Sequence, residues 1–188
     1  AERKGYADAM MLDWQGRVAE CTGANIFFVK DGVIHTPIAD CFLDGITRRT
    51  VIDLARAGGL EVVERRIMPD ELASFEECFI CGTAAEVTPV SEVGPYKFTP
   101  GNISRVLIDD YTNEVNRLYK VMNQRLGETR FLAGDRYTIA DISTWPWAGN
   151  PERRGVDMAL YPNVQRWFED ILARPAVQRG MALLADER

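Results

Sequence analysis

Histidine occurs once in these 188 residues, and cysteine four times, at Cys21, Cys41, Cys78 and Cys81. One imidazole and four irregularly spaced thiols exclude a His-based zinc site and a disulfide framework. No run approaches the ~18 unbroken apolar residues of a membrane helix, which excludes a membrane-spanning role. Basic charge is also short. Against 28 Asp and Glu stand 22 Lys and Arg, a net charge of −6, which disfavours nucleic acid as a partner. The charged start (Ala1, Glu2, Arg3, Lys4) leads directly into an apolar strand-like run and does not read as a signal peptide, so the expected location is cytoplasmic. What is present is ordinary globular composition, 46% apolar and 27% charged.

The chain reads as two unlike halves. Residues 1–114 hold 11 basic and 19 acidic side chains, net −8, and residues 115–188 hold 11 and 9, net +2. In the first half, a short apolar run at Ala9–Asp13 ends in a turn at Asp13-Trp14-Gln15-Gly16. Ile26–Val29 and Val33–His35 are β-rich and flank Asp31-Gly32, a hairpin signal. From Thr47, the positions Val51, Ile52, Leu54 and Ala55 have helical spacing, and Gly58-Gly59 ends that helix. A strand over Leu60–Ile67, a short helix from Pro69 and a strand over Glu77–Cys81 follow, giving α/β patterning.

The second half is all helix. Ile103, Leu107, Tyr111, Val115, Leu118, Met122 and Leu126 form one apolar stripe that passes unbroken through the change in charge. The halves are therefore joined inside a helix, in register. Thr138 and Asp141 have capping-box spacing, with Tyr137 placed as a hydrophobic staple. The helix they start should run to Trp145, where Pro146 disturbs it. Pro162 and Pro175 open two more helices, and Trp145, Trp147, Trp167 and Phe168 read as helix-packing residues.

Two segments have chemical potential. Leu43-Asp44-Gly45-Ile46-Thr47-Arg48 is a glycine turn opening into a helix. Free N–H groups, the helix dipole and a Thr hydroxyl there suit a phosphate, whereas Asp44 or Thr47 acting as an ordinary cap would leave no site. In Cys81-Gly82-Thr83-Ala84-Ala85, small residues after a strand allow a ligand close to the backbone, or simply a tight turn. Cys78 and Cys81 have redox-pair spacing, but residues three apart on a strand face opposite ways, so both read as core cysteines. His35 has no evident partner and reads as structural.

Together with Glu20–Phe27, these segments are specific. From about Gly5 to Glu114 the chain resembles the C-terminal part of class IV, fold-type IV aminotransferases that use pyridoxal 5′-phosphate, and within them the branched-chain amino-acid aminotransferases. The matching stretches are Glu20–Phe27, Leu43–Arg48 and Gly82–Val90. The resemblance implies that Glu20 pairs with the pyridine nitrogen, that Leu43 packs under the ring, and that Ile46, Thr47 and Thr83 bind the phosphate. It also implies that Ala84 helps hold the carboxylate of an amino- or keto-acid substrate. The family's Schiff-base lysine lies upstream of this region, and Lys4, Lys30, Lys97 and Lys120 match no catalytic position and read as surface charges.

From about Asn116 to Gly180 the chain resembles the C-terminal helical domain of bacterial glutathione transferases, through Phe131–Asp135, Tyr137–Ile142, Trp145-Pro146-Trp147, Tyr161–Val164 and Arg174–Val177. That family binds glutathione in a thioredoxin-like domain that these motifs do not include. The expectation is thus a chimera, engineered or natural. An α/β aminotransferase-like domain over 1–114 precedes a helical bundle over 115–188, and the cofactor site gives no turnover. Turnover with a recruited lysine and a helical interaction module are the two alternatives. Sheet edges left exposed would pair with other chains, so the expectation is either that the helical half covers them or that the chain forms a homodimer.

Overall fold

The computed structural model describes residues 1–149 and 151–183. The chain forms two compact units, residues 1–111 and 112–188.

In the first unit, strict alternation along one strand builds the architecture. β3 (Asn25–Lys30) sits at the centre of a five-stranded sheet, with β4 (Val33–Pro37), β5 (Val62–Arg65), β6 (Glu77–Gly82) and β7 (Glu86–Pro89) in the order β5-β4-β3-β6-β7. Phe27 and Val29 face one core with α1 (Ile46–Ala57), while Ile26 and Phe28 face a second core with Ile67, Leu72, Phe75 and Phe98. Both faces are covered, so the strand reads as an apolar run. Phe27 and Phe79 are cross-strand partners, stacked at 4.9 Å.

The β3–β4 turn has positive φ at both Asp31 and Gly32, as a two-residue hairpin of primed type demands. β4 and β5 are the parallel pair, joined across α1, and the other pairs of this sheet are antiparallel. The fold is therefore α/β with a mixed sheet. Two small antiparallel ribbons, β1 (Met10–Leu12) with β2 (Val18–Cys21) and β8 (Glu92–Val93) with β9 (Tyr96–Lys97), complete the strands.

The fifth strand is shorter than the 60–67 expectation, and Pro69 begins a 3₁₀ turn to Ser74. His35 has a partner after all: Arg65 Nε donates to its Nδ1 at 3.2 Å, and its ring lies 5.6 Å from Phe75. Strand pairing brings this contact about, because His35 and Val63 are register neighbours. Burial and the Arg65 guanidinium lower the His35 pKa.

α2 (Asn102–Glu128) starts on a buried acid. The Glu77 carboxylate accepts from Ser104 N at 2.9 Å, from Ser104 Oγ and from Ile103 N, satisfying donors the helix cannot pair itself. Gly101 is required beside it, since a Cβ there would overlap the carboxylate. Ile103 and Leu107 of this helix are buried in the first unit, and Tyr119 and Leu126 in the second. Leu118 does not share in the stripe and is exposed. The band that the second unit buries is centred on Tyr119, whose hydroxyl donates to Ala148 O and whose ring packs on Tyr161, so Leu118 falls beyond its edge.

The second unit packs α3 (Ile139–Ala148), α4 (Pro162–Leu172) and the later part of α2 around Trp167, which is fully buried; α5 (Pro175–Leu183) follows. Asp141 is 0% exposed and accepts from Leu132 N, Thr138 N and Trp167 Nε1 at 2.9–3.0 Å. The capping box forms as its spacing predicts: Thr138 is the N-cap, its side chain faces the backbone N–H of Asp141 as well as that of Ala140, and the Asp141 carboxylate accepts from Thr138 N. Tyr137 packs edge-on against Phe131. Pro146 does not end α3, which continues to Ala148. So close to the C-terminus, only the Ile142 carbonyl loses its helical donor, and Ile142 is half exposed. Trp145 stacks on Phe168 at 4.8 Å, but Trp147 is half exposed and is not the packing residue expected.

Two predictions follow from these buried acids. Glu77→Ala should destabilise the first unit by ~2 kcal/mol in urea denaturation, the cost of orphaned buried donors; an unchanged midpoint would refute the role. Burial raises the Asp141 pKa, but its hydrogen bonds more than offset this and hold it below the ordinary 3.8. A carboxylate lowered in the fold contributes stability that is complete above its unfolded pKa and is lost as pH falls through the folded one. The second unit should therefore lose stability below about pH 4, and in Asp141→Asn this acid dependence should flatten.

Candidate functional site

The start of α1 carries the expected phosphate residues, and its local structure decides between anion site and ordinary cap. The N-cap residue is Gly45, in extended conformation, with no side-chain cap hydrogen bond. Neither Asp44 nor Thr47 caps the helix. Asp44 instead accepts from Arg48 Nη1 and Arg49 Nε, each at 2.8 Å, and these guanidinium bonds hold its carboxyl below the usual range. Arg48 is 2% exposed and also donates to Glu64 at 2.8 Å and to Pro37 O at 2.9 Å. The helix start is thereby tied to the ends of β4 and β5, while the side chain that would have capped it is drawn away.

Asn25, 6% exposed, donates from Nδ2 to Leu43 O at 2.9 Å, fastening the turn before α1 to the first residue of β3. Asn25 is also the register partner of Cys81 at the end of β6. A Cβ on Gly82 would lie 3.1 Å from Gly23 O, so the chain after β6 closes tightly on the turn before β3. Three turns therefore meet at one end of the sheet: Glu20–Asn25, Leu43–Thr47 and Gly82–Ala84.

Of the expected residues, Leu43 is 75% and Ile46 84% exposed, Thr83 and Ala84 are exposed, and Glu20 and Thr47 are partly buried. Among the described residues, the Thr47 and Thr83 hydroxyls have no hydrogen-bond partner and the Glu20 carboxylate has neither hydrogen bond nor ion pair. A cavity of about 750 Å³ is lined by Lys4, Tyr6, Asp8, Cys21, Ile80 and Glu92 among others; it touches the Glu20–Asn25 turn through Cys21, but none of the six expected residues lines it. Asn25, Arg48 and Glu64 were not singled out by sequence. A polar residue at the head of an apolar strand was the available signal for Asn25.

The cysteine pair behaves as core. Cys78 faces one cluster and Cys81 the other. Burial pushes the Cys21 and Cys81 thiols up to about 12, and raises Cys78 as well. At pH 8 the folded protein should therefore react with a chromogenic disulfide at Cys41 alone, the exposed thiol, and at all four cysteines once denatured. Rapid reaction of a second native thiol would contradict this burial.

Residues 1–93 match the class IV amino-transferase family, and residues 95–175 match the C-terminal domain of glutathione S-transferases. The chain carries two family segments in succession. A probable branched-chain-amino-acid aminotransferase of Rickettsia bellii is 49% identical over 115 residues, covering 59% of this chain and 40% of the relative. The disulfide-bond oxidoreductase YfcG of Escherichia coli is 45% identical over 83 residues, covering 43% of this chain and 39% of the relative. A crystal structure of a Brucella abortus aminotransferase bound to the cofactor PLP superposes with a TM-score of 0.57 at 32% identity, covering 59% of this chain and 40% of the other. The chain thus spans about two fifths of the length of these relatives. Its first segment is aminotransferase-like and its second is transferase-helical, as the sequence motifs imply. Among the described residues, no helix is long and apolar enough to cross a membrane.

Proposed function

We propose that the first unit forms the cofactor-holding wall of a branched-chain aminotransferase-like site, and that these 188 residues bind pyridoxal 5′-phosphate without transaminase turnover. The observation that carries this reading is the start of α1, uncapped by any side chain, with the free hydroxyls of Thr47 in its first turn and of Thr83 on the turn after β6. Free N–H groups at a helix start, the positive end of its dipole and hydroxyl donors are the donor set a phosphate needs. The residues present fit the group.

In this reading Ile46, Thr47 and Thr83 hold the phosphate, and Leu43, already exposed, offers an apolar surface to the ring. Glu20, free of cationic partners, keeps the pyridine nitrogen protonated, and Ala84 helps hold the carboxylate of an amino or keto acid. When bound, the cofactor supplies an electron sink for the substrate's α-carbon. Turnover also needs an amine positioned to move the α-proton. Lys97 pairs with Glu92, Lys30 ends the strand before the β3–β4 turn, Lys120 is exposed on α2, and Lys4 lines the cavity of about 750 Å³. The helical unit, whose buried centre is Asp141 and Trp167, serves as a structural bundle, and retention on immobilised glutathione should be absent.

Equilibrium dialysis should show binding of pyridoxal 5′-phosphate that inorganic phosphate displaces, weakened about tenfold in Thr47→Val, the loss expected for one charge-assisted hydrogen bond. Borohydride reduction followed by peptide mapping should label no single lysine. Failure of the wild type to bind would overturn the site. One labelled lysine, with interconversion of leucine and its keto acid beyond free coenzyme, would overturn the absence of turnover.

A further inference from the structure

We infer that Asn25 is the positioning residue that sets the α1 turn for phosphate, acting through Gly45; the inference rests on the cofactor-binding reading above. The two polar atoms of the Asn25 side chain address two points of that turn, Leu43 and Gly45. Nδ2 donates to Leu43 O at 2.9 Å. Oδ1 lies where a Cβ on Gly45 would approach to 2.6 Å, closer than real Cβ contacts come. Gly45 itself is in an extended conformation at φ −64°, which any residue can adopt, so glycine is required there by the approach of Asn25 and not by backbone conformation.

The amide therefore grips the residues immediately before the first turn of α1, the same N–H groups that no side chain caps. It is held firmly in turn, being 6% exposed and paired in register with Cys81, one strand residue before Gly82. One side chain thus fixes the Leu43–Gly45 turn relative to the β6 end that leads to Thr83. Arg48 secures the other flank by its bonds to Asp44, Glu64 and Pro37 O, so the turn is clamped from both sides while its N–H groups stay available. An anion bound between the two turns would depend on their spacing, and Asn25 is the group that sets it. Groups held by packing and hydrogen bonds outside the contact shell are how such sites keep their geometry.

The test is a double-mutant cycle read by affinity for pyridoxal 5′-phosphate and by the ³¹P shift of the bound phosphate, with melting temperature measured alongside. Asn25→Ala should weaken binding about tenfold and move the ³¹P shift. Gly45→Ala should weaken it by a similar factor in the wild-type background, but by less than about threefold in Asn25→Ala, where the added methyl meets no Oδ1. Asn25→Asp keeps the oxygen contact and loses the N–H donor; it should fall between, and it decides the matter if Gly45→Ala does not fold. Multiplicative losses in the double variant, or a lowered melting temperature with unchanged affinity and ³¹P shift in Asn25→Ala, would overturn the positioning role. If the wild type itself binds no cofactor, it is the site reading that falls, and this inference with it.

Discussion

At the start of three helices, a buried polar side chain holds backbone that the helix leaves unpaired or unplaced. Asn25 grips the turn before α1, Glu77 receives the first N–H groups of α2, and Asp141 receives those around the start of α3. A buried polar group without its partner costs ~1–3 kcal/mol, so each of these hydrogen bonds fixes the position of the backbone it holds. The apolar clusters supply the driving force for folding. These contacts decide where the helices begin, and in the first unit the beginning of α1 is where we propose that the phosphate is held.

Charge placement completes that feature. Asp44 stands one residue before the Gly45 N-cap, and its carboxylate faces two arginines. A capping carboxylate would occupy the N–H groups and repel a phosphate. An acid neutralised by guanidinium groups on the flank leaves them open, with the helix dipole unopposed. Arg48 is buried because Asp44, Glu64 and a carbonyl share its charge, an arrangement that a desolvated guanidinium requires.

Much of this was legible in the chain. Asp31-Gly32 marked its hairpin because both positions must take positive φ, and Thr138 with Asp141 marked a helix start because their spacing meets the capping geometry. The Glu20–Phe27, Leu43–Arg48 and Gly82–Val90 stretches pointed to the class IV amino-transferase family, whose model matches residues 1–93. What failed to read had a common cause. The partner of His35, the exposure of Leu118 and Trp147 and the passage of α3 through Pro146 all depend on what stands opposite, which local spacing does not encode.

The sequence by itself determined the main strands and helices, such as the β3–β4 hairpin, β6, α1 and the start of α3, and the residue types that suit a phosphate. Those follow from periods of two and 3.6 and from backbone sterics, which are properties of near neighbours. Only the tertiary structure decided that Asp44 turns away from the helix it precedes and that Asn25 reaches the turn eighteen residues ahead. Both outcomes depend on strand pairing and burial across long separations, where competing hydrogen-bond partners are chosen by what the fold brings within about 3 Å.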